Sequence, residues 1–237
     1  MTDAPTPAPA NAAARWQIPW GPRRVALGVV VVAAVTLLGF VVGLLVFPDD
    51  ERTAVWVGLG ATAILELTLV AAAYWWGPRA VGRARSLLGP ARLAARATVG
   101  WAALAFFASI VVTLAYVVAL ASFTGDVAVP PPIPASFLER LPLLTVALVV
   151  LVGPAAEELF FRGFCFAGLL SRWGLWPAAL VSSAVFGVAH VDPALMGPAA
   201  VSGFVFAWVY WRTGSLWPVV LAHMARNALA LAAAGSL

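Results

Sequence analysis

Residues 25–47 read VALGVVVVAAVTLLGFVVGLLVF, an apolar run of 23 positions without a charge. At ~1.5 Å per residue such a helix covers the ~30 Å hydrocarbon layer of a bilayer, and it exceeds the roughly 7 to 15 apolar residues of a cleavable signal. Arg23 and Arg24 stand directly before it, as at a membrane boundary. The run is expected to be a retained membrane helix, and the rest of the chain extends the pattern. Residues 54–76 make a second run of 23, interrupted only by Glu66, and residues 97–121 a third of 25 with no charge. Of the 237 residues 63% are hydrophobic and 10% charged, with a mean hydropathy of +0.97. Those values exclude a water-soluble domain and a disordered chain.

Before the first run, residues 1–20 are rich in Ala and Pro without apolar periodicity and read as a disordered tail, ending in Trp16 and Trp20 at the membrane interface. Residues 21–237 read as a single transmembrane domain. After the Pro-rich stretch VPPPIP, Ser136 and Glu139 have the spacing of a capping box and are expected to open a fourth helix running to about Leu170. Gly153 and Pro154 should bend it, since proline removes a backbone hydrogen bond. Residues 175–190, 194–211 and 216 to about 234 complete an all-α, polytopic bundle of about seven transmembrane helices, the fifth and sixth being short.

Every basic residue is Arg, and the 14 arginines set the orientation. With the amino terminus cytoplasmic, ten fall on inside segments (15, 23, 24, 79, 83, 85, 92, 96, 172 and 212), and two, Arg52 and Arg140, on outside loops. That bias satisfies the positive-inside rule and predicts a multi-pass protein of a prokaryotic-type plasma membrane. No basic stripe with interleaved aromatics is present, so nucleic acid is not an expected partner. The single cysteine, Cys165, lacks the spacing of a metal motif and nothing marks it as a nucleophile.

A charged side chain at mid-bilayer costs about 2.5–3.5 kcal/mol on insertion scales, so the few present should face a cavity or a partner. They are Glu66, Glu157, Glu158, Arg162, His190, His223, Arg226 and Asn227, all but the first in the last 81 residues. Glu158 and Arg162 are four apart, acid first, the favourable order for an ion pair. Glu157 lies about 100° round the helix from Glu158 and is free to act on a proton or a metal. Phe186 and His190 share one helical face, as do His223 and Asn227. The simpler reading, a buried charge cluster that only holds helices together, leaves unexplained why both histidines of the chain occur in late buried helices. Glu66, alone in the first half, reads first as a structural partner of Arg226 or Arg162, and otherwise as a group that reaches the same cavity.

Two chemistries suit these groups. Glu157, His190 and His223 match in type the sets of two histidines and one carboxylate that bind Zn and activate water, although HExxH is absent. Alternatively, Glu157 and His190 deprotonate water without a metal, while His223 and Asn227 donate to an oxyanion. Either hydrolyses an amide. A transporter using buried acids and histidines is a different class, without support from any inverted repeat. A non-catalytic membrane protein of the same fold, for immunity or scaffolding, is a third.

The three patterns in order, within EELFFRGF (157–164), SSAVFGVAH (182–190) and RTGSLWPVVLAH (212–223), resemble the CAAX prenyl endopeptidase and bacteriocin-processing (CPBP, or abortive-infection) family of intramembrane proteases. The resemblance covers roughly residues 140–230. It implies an all-helical membrane fold whose cavity holds a water activated by Glu157 and His190, with His223 and Asn227 stabilising the oxyanion and Glu158, Arg162 and Phe186 in support. It implies a membrane-associated protein or peptide substrate, prenylated CAAX-type in known eukaryotic relatives. Zn dependence and metal-independent glutamate chemistry have both been described for the family.

Overall fold

The computed structural model describes residues 16, 18–46, 50–79, 87–125 and 135–235. Residues 1–15 of the expected tail, the VPPPIP stretch, and Arg83 and Arg85 of the first inside loop lie outside the described residues.

The described residues are helical throughout, with no strand among them. Helix α1 is Pro22–Val46, α2 Glu51–Trp76 and α3 Ala95–Thr124, each where a long apolar run predicts it. Asp50 caps α2, its carboxylate accepting from the Thr53 amide at 2.8 Å and hydroxyl at 2.6 Å; those bonds hold its pKa below the usual carboxylate range. After the short α4 (Ala135–Arg140), α5 runs from Pro142 to Trp173. Helices α6 (Leu175–Val188), α7 (Pro193–Thr213) and α8 (Trp217–Gly235) follow.

Five of these, α1, α2, α3, α5 and α7, are long and apolar enough to cross a bilayer unaided. Helix α6 has 14 residues, about 21 Å of rise, short of the ~30 Å core. Helix α8 has 19 residues but carries His223, Arg226 and Asn227 along its length. In the last part of the chain α6 and α7 pair closely, while α3 covers α7 and α8.

Helix α5 is the central rod: every residue from Phe160 to Leu169 is buried. Two features of this region differ from expectation. The long helix begins at Pro142 rather than at a Ser136 cap, because Leu141 leaves helical geometry (φ −136°, ψ 58°) and Ser136 lies within α4. Around Pro154 the helix accommodates the missing N–H with wide π turns at Ala147–Val152 and Leu159–Phe166, the Gly153 amide reaching back five residues to the Leu148 carbonyl.

Trp16 and Trp20 are also not where the sequence reading put them. Both are buried, at 4% and 1% exposure, rather than interfacial. Trp16 meets Tyr210 edge to face at 4.9 Å, and Trp20 stacks on Phe164 while its indole N–H donates to the Phe164 carbonyl at 3.0 Å. The Trp20 donor thus finds a backbone acceptor inside the protein, whereas the buried Trp16 indole N–H has no hydrogen-bond partner among the described residues.

Candidate active site

Glu157 and Glu158 sit between the two π turns of α5 and diverge, as neighbours on a helix must. Glu158 is fully buried and Glu157 is 23% exposed at its side chain. Glu158 Oε1 receives two bonds: Arg162 Nη1 at 2.9 Å from one turn along α5, and His223 Nδ1 at 2.9 Å from α8. The guanidinium also lies over the Phe186 ring at 4.2 Å and nearer the Phe206 ring than 6 Å, at 5.6 Å. A buried charge pair is tolerable only with such company.

His223 is the hinge of the site. A carboxylate accepts only, so Nδ1 carries the proton shared with Glu158, and Nε2 faces Glu157 Oε2 at 3.8 Å. The expected division between a structural Glu158–Arg162 pair and a separate Glu157 is therefore bridged by this imidazole. Nothing local in the sequence signals the contact, since 65 residues separate the partners.

His190 follows the end of α6. Its Nδ1 lies 2.9 Å from the Phe186 carbonyl, which fixes Nδ1 as the donor and leaves Nε2 with a lone pair. The next residue, Val191, has φ 61°, in the left-handed region that a β-branched side chain avoids. Strain of that kind costs about 1–3 kcal/mol and occurs where a turn must aim a side chain. Phe186 then gathers the two imidazoles, its ring centroid 4.8 Å from that of His190 and 5.8 Å from that of His223. Gly203 on α7 lets this stack form: a Cβ there would fall 2.8 Å from Arg162 Nη2 and 3.0 Å from Phe186.

Asn227 is partly committed elsewhere. Its Nδ2 donates to the Val149 carbonyl at 2.9 Å. In the π pattern of that turn, the amide of residue 154 would serve Val149, and residue 154 is proline. Asn227 thus stands in for the N–H that proline lacks, with its second amide hydrogen and its oxygen left over.

Glu157, His190, His223 and Asn227 line one cavity of about 380 Å³, together with Phe186 and Glu66. Glu66 makes no ion pair with Arg162 or Arg226 among the described residues; the reading of Glu66 as an arginine's partner is corrected to a cavity-lining carboxylate. It approaches α5 at Gly153, where a Cβ would lie 3.2 Å from its Oε1. As donors for a metal, the two imidazoles fit in type and tautomer, each with Nδ1 held and Nε2 free. Among the described residues, however, no three His, Cys, Asp or Glu side chains gather at metal-binding spacing, so no step is derived through a metal.

Residues 139–229 match the model of the family described as Type II CAAX prenyl endopeptidase Rce1-like. Over 90 residues the chain is 33% identical to the "Putative membrane peptidase YdiL" of Bacillus subtilis (strain 168), a match covering 38% of this chain and 36% of that protein. The aligned part is thus about a third of the curated relative's length. No solved structure matches.

Proposed function

From the match of residues 139–229 to the Type II CAAX prenyl endopeptidase Rce1-like family model, we propose that the cavity hydrolyses a peptide bond of a membrane-associated protein or peptide. The observation that carries this reading is the convergence of Glu157, His190 and His223 on one cavity, with a single tautomer imposed on each ring by its Nδ1 partner. The His190 Nε2 lone pair and the Glu157 carboxylate are acceptors for the protons of a water, which makes them the general bases. The attacking oxygen adds to the scissile carbonyl, whose electron pair moves to oxygen. The spare amide hydrogen of Asn227 donates to that oxyanion, and His223, its Nδ1 held by Glu158, is a second donor in the form that carries a proton on Nε2. Collapse of the tetrahedral intermediate expels the amine, which takes back the proton held by Glu157 or His190.

A prenylated CAAX-type protein is the substrate that the family name suggests. The plasma membrane of a prokaryotic-type cell is the proposed location. If Zn takes part, Glu157, His190 and His223 are the residues to hold it, and it would supply Lewis-acid activation of the water.

Glu157→Gln, His190→Ala and His223→Ala should each abolish peptide cleavage in detergent while the protein elutes and melts as a folded species. Retained cleavage in any one of them rejects the mechanism. One equivalent of zinc with activity lost on chelation would select the metal route; full activity in metal-free protein would select the glutamate route.

A further inference from the structure

The cavity has a wall that the hydrolytic step does not use. It comes from α1 and α2, and its polar groups are Thr36, Thr62 and Glu66. Thr62 and Glu66 are one helical turn apart on the same face of α2. The Thr36 hydroxyl donates to the Val32 carbonyl at 2.9 Å and that of Thr62 to the Gly58 carbonyl at 3.0 Å. Each threonine has only one proton to give, so both present lone pairs to the cavity. Glu66 is 5% exposed, and its Oε2 is buried without a hydrogen-bond partner.

The polar groups of this otherwise apolar wall therefore all offer acceptors. Among the described residues no arginine lines the cavity, and a second carboxylate, Glu157, shares it. Glu66 Oε2 is a buried acceptor without a donor, which is costly, and a second carboxyl group in the same low-dielectric cavity adds to that cost. A cationic donor group entering from outside relieves both.

We propose that Thr36, Thr62 and Glu66 form a substrate subsite for the ammonium or guanidinium of a basic side chain near the scissile bond, with Glu66 as counter-ion and the threonines as flanking acceptors. The proposal rests on the hydrolytic reading above and adds to it a preference for basic peptides. Glu66 sits on a helix outside the matched segment, so the preference belongs to this chain's own α1–α2 wall rather than to residues 139–229.

The test uses the full chain in detergent and matched fluorogenic peptides, acetylated and amidated at their ends so that no terminal charge competes. A lysine is moved position by position across the central bond, and each peptide has a norleucine counterpart. The unaltered protein should favour lysine over norleucine at one or two positions by at least about tenfold in kcat/KM, mostly through KM. Glu66→Gln should bring that ratio close to one, and Thr62→Val should lower it by a smaller factor; the second variant carries the test if the first does not fold. The subsite is overturned if the unaltered protein shows no lysine preference at any position. It is equally overturned if the preference survives in both variants, or if both lower the lysine and norleucine rates equally. Failure of the unaltered protein to cleave any peptide is a different outcome, which overturns the hydrolytic reading and the subsite with it.

Discussion

Replacing Glu158 by Gln removes one negative charge at nearly constant shape from an oxygen that serves two partners, Arg162 Nη1 and His223 Nδ1, each at 2.9 Å. The guanidinium cannot shed its proton, and at 1% exposure it cannot reach water. What remains to it are a neutral amide oxygen and the Phe186 and Phe206 rings, the rings worth up to about 2 kcal/mol for a desolvated cation, against about 3–5 kcal/mol for breaking a buried pair. The single variant should therefore lose about 3 kcal/mol of stability in detergent, read from denaturant or thermal unfolding. The double variant Glu158→Gln with Arg162→Met removes both charges and should recover most of that loss. Its cleavage rate should nonetheless stay about a hundredfold or more below the unaltered protein, because His223 has lost the carboxylate that fixes its tautomer. A Glu158→Gln protein as stable as the original, or a double variant that cleaves normally, would refute the reasoning.

Gly203→Ala should push Arg162 and Phe186 together against neighbours that cannot retreat, costing about 1–3 kcal/mol and lowering cleavage more than tenfold; an unchanged melting point and rate would mean the stack has slack. Trp20→Ala empties a site that is 1% exposed and frees the Phe164 carbonyl, so unfolding should move down by about 3 kcal/mol even though Trp20 lies outside the cavity. Asn227→Ala should cost about 1–3 kcal/mol by orphaning the Val149 carbonyl, and much less in a Pro154→Ala background, where the chain supplies its own N–H. Equal costs in the two backgrounds would show that Asn227 does not substitute for it.

The membrane bundle was legible because apolar length is a local property: the runs at 25–47, 54–76 and 97–121 coincide with α1, α2 and α3. The spacings of four in Glu158–Arg162 and Phe186–His190 were legible for the same reason, and both pairs touch. The bond between His223 and Glu158 was not, since no periodicity reports which of two adjacent carboxylates a distant helix will meet. The burial of Trp16 and Trp20 was not legible, because a tryptophan beside a membrane run has the same signature whether its ring meets headgroups or packs on Tyr210 or Phe164. Glu66 was read as an arginine's partner because burial of a charge argues for some neighbour without naming it. The spacing of Thr62 and Glu66 in the middle of a largely apolar α2 was the signal available for the cavity wall.

The wide turn at Ala147–Val152 also acts as a phase setting for the catalytic rod. Were that segment to relax to ordinary α geometry with all its residues kept, everything beyond it would rotate by about 100°. Glu157 would swing off the cavity and Glu158 would trade its bearing for that of a neighbour, although no side chain had been altered. The spare residue in that loop of backbone is thus a dial for aim, as consequential as any of the side chains it points.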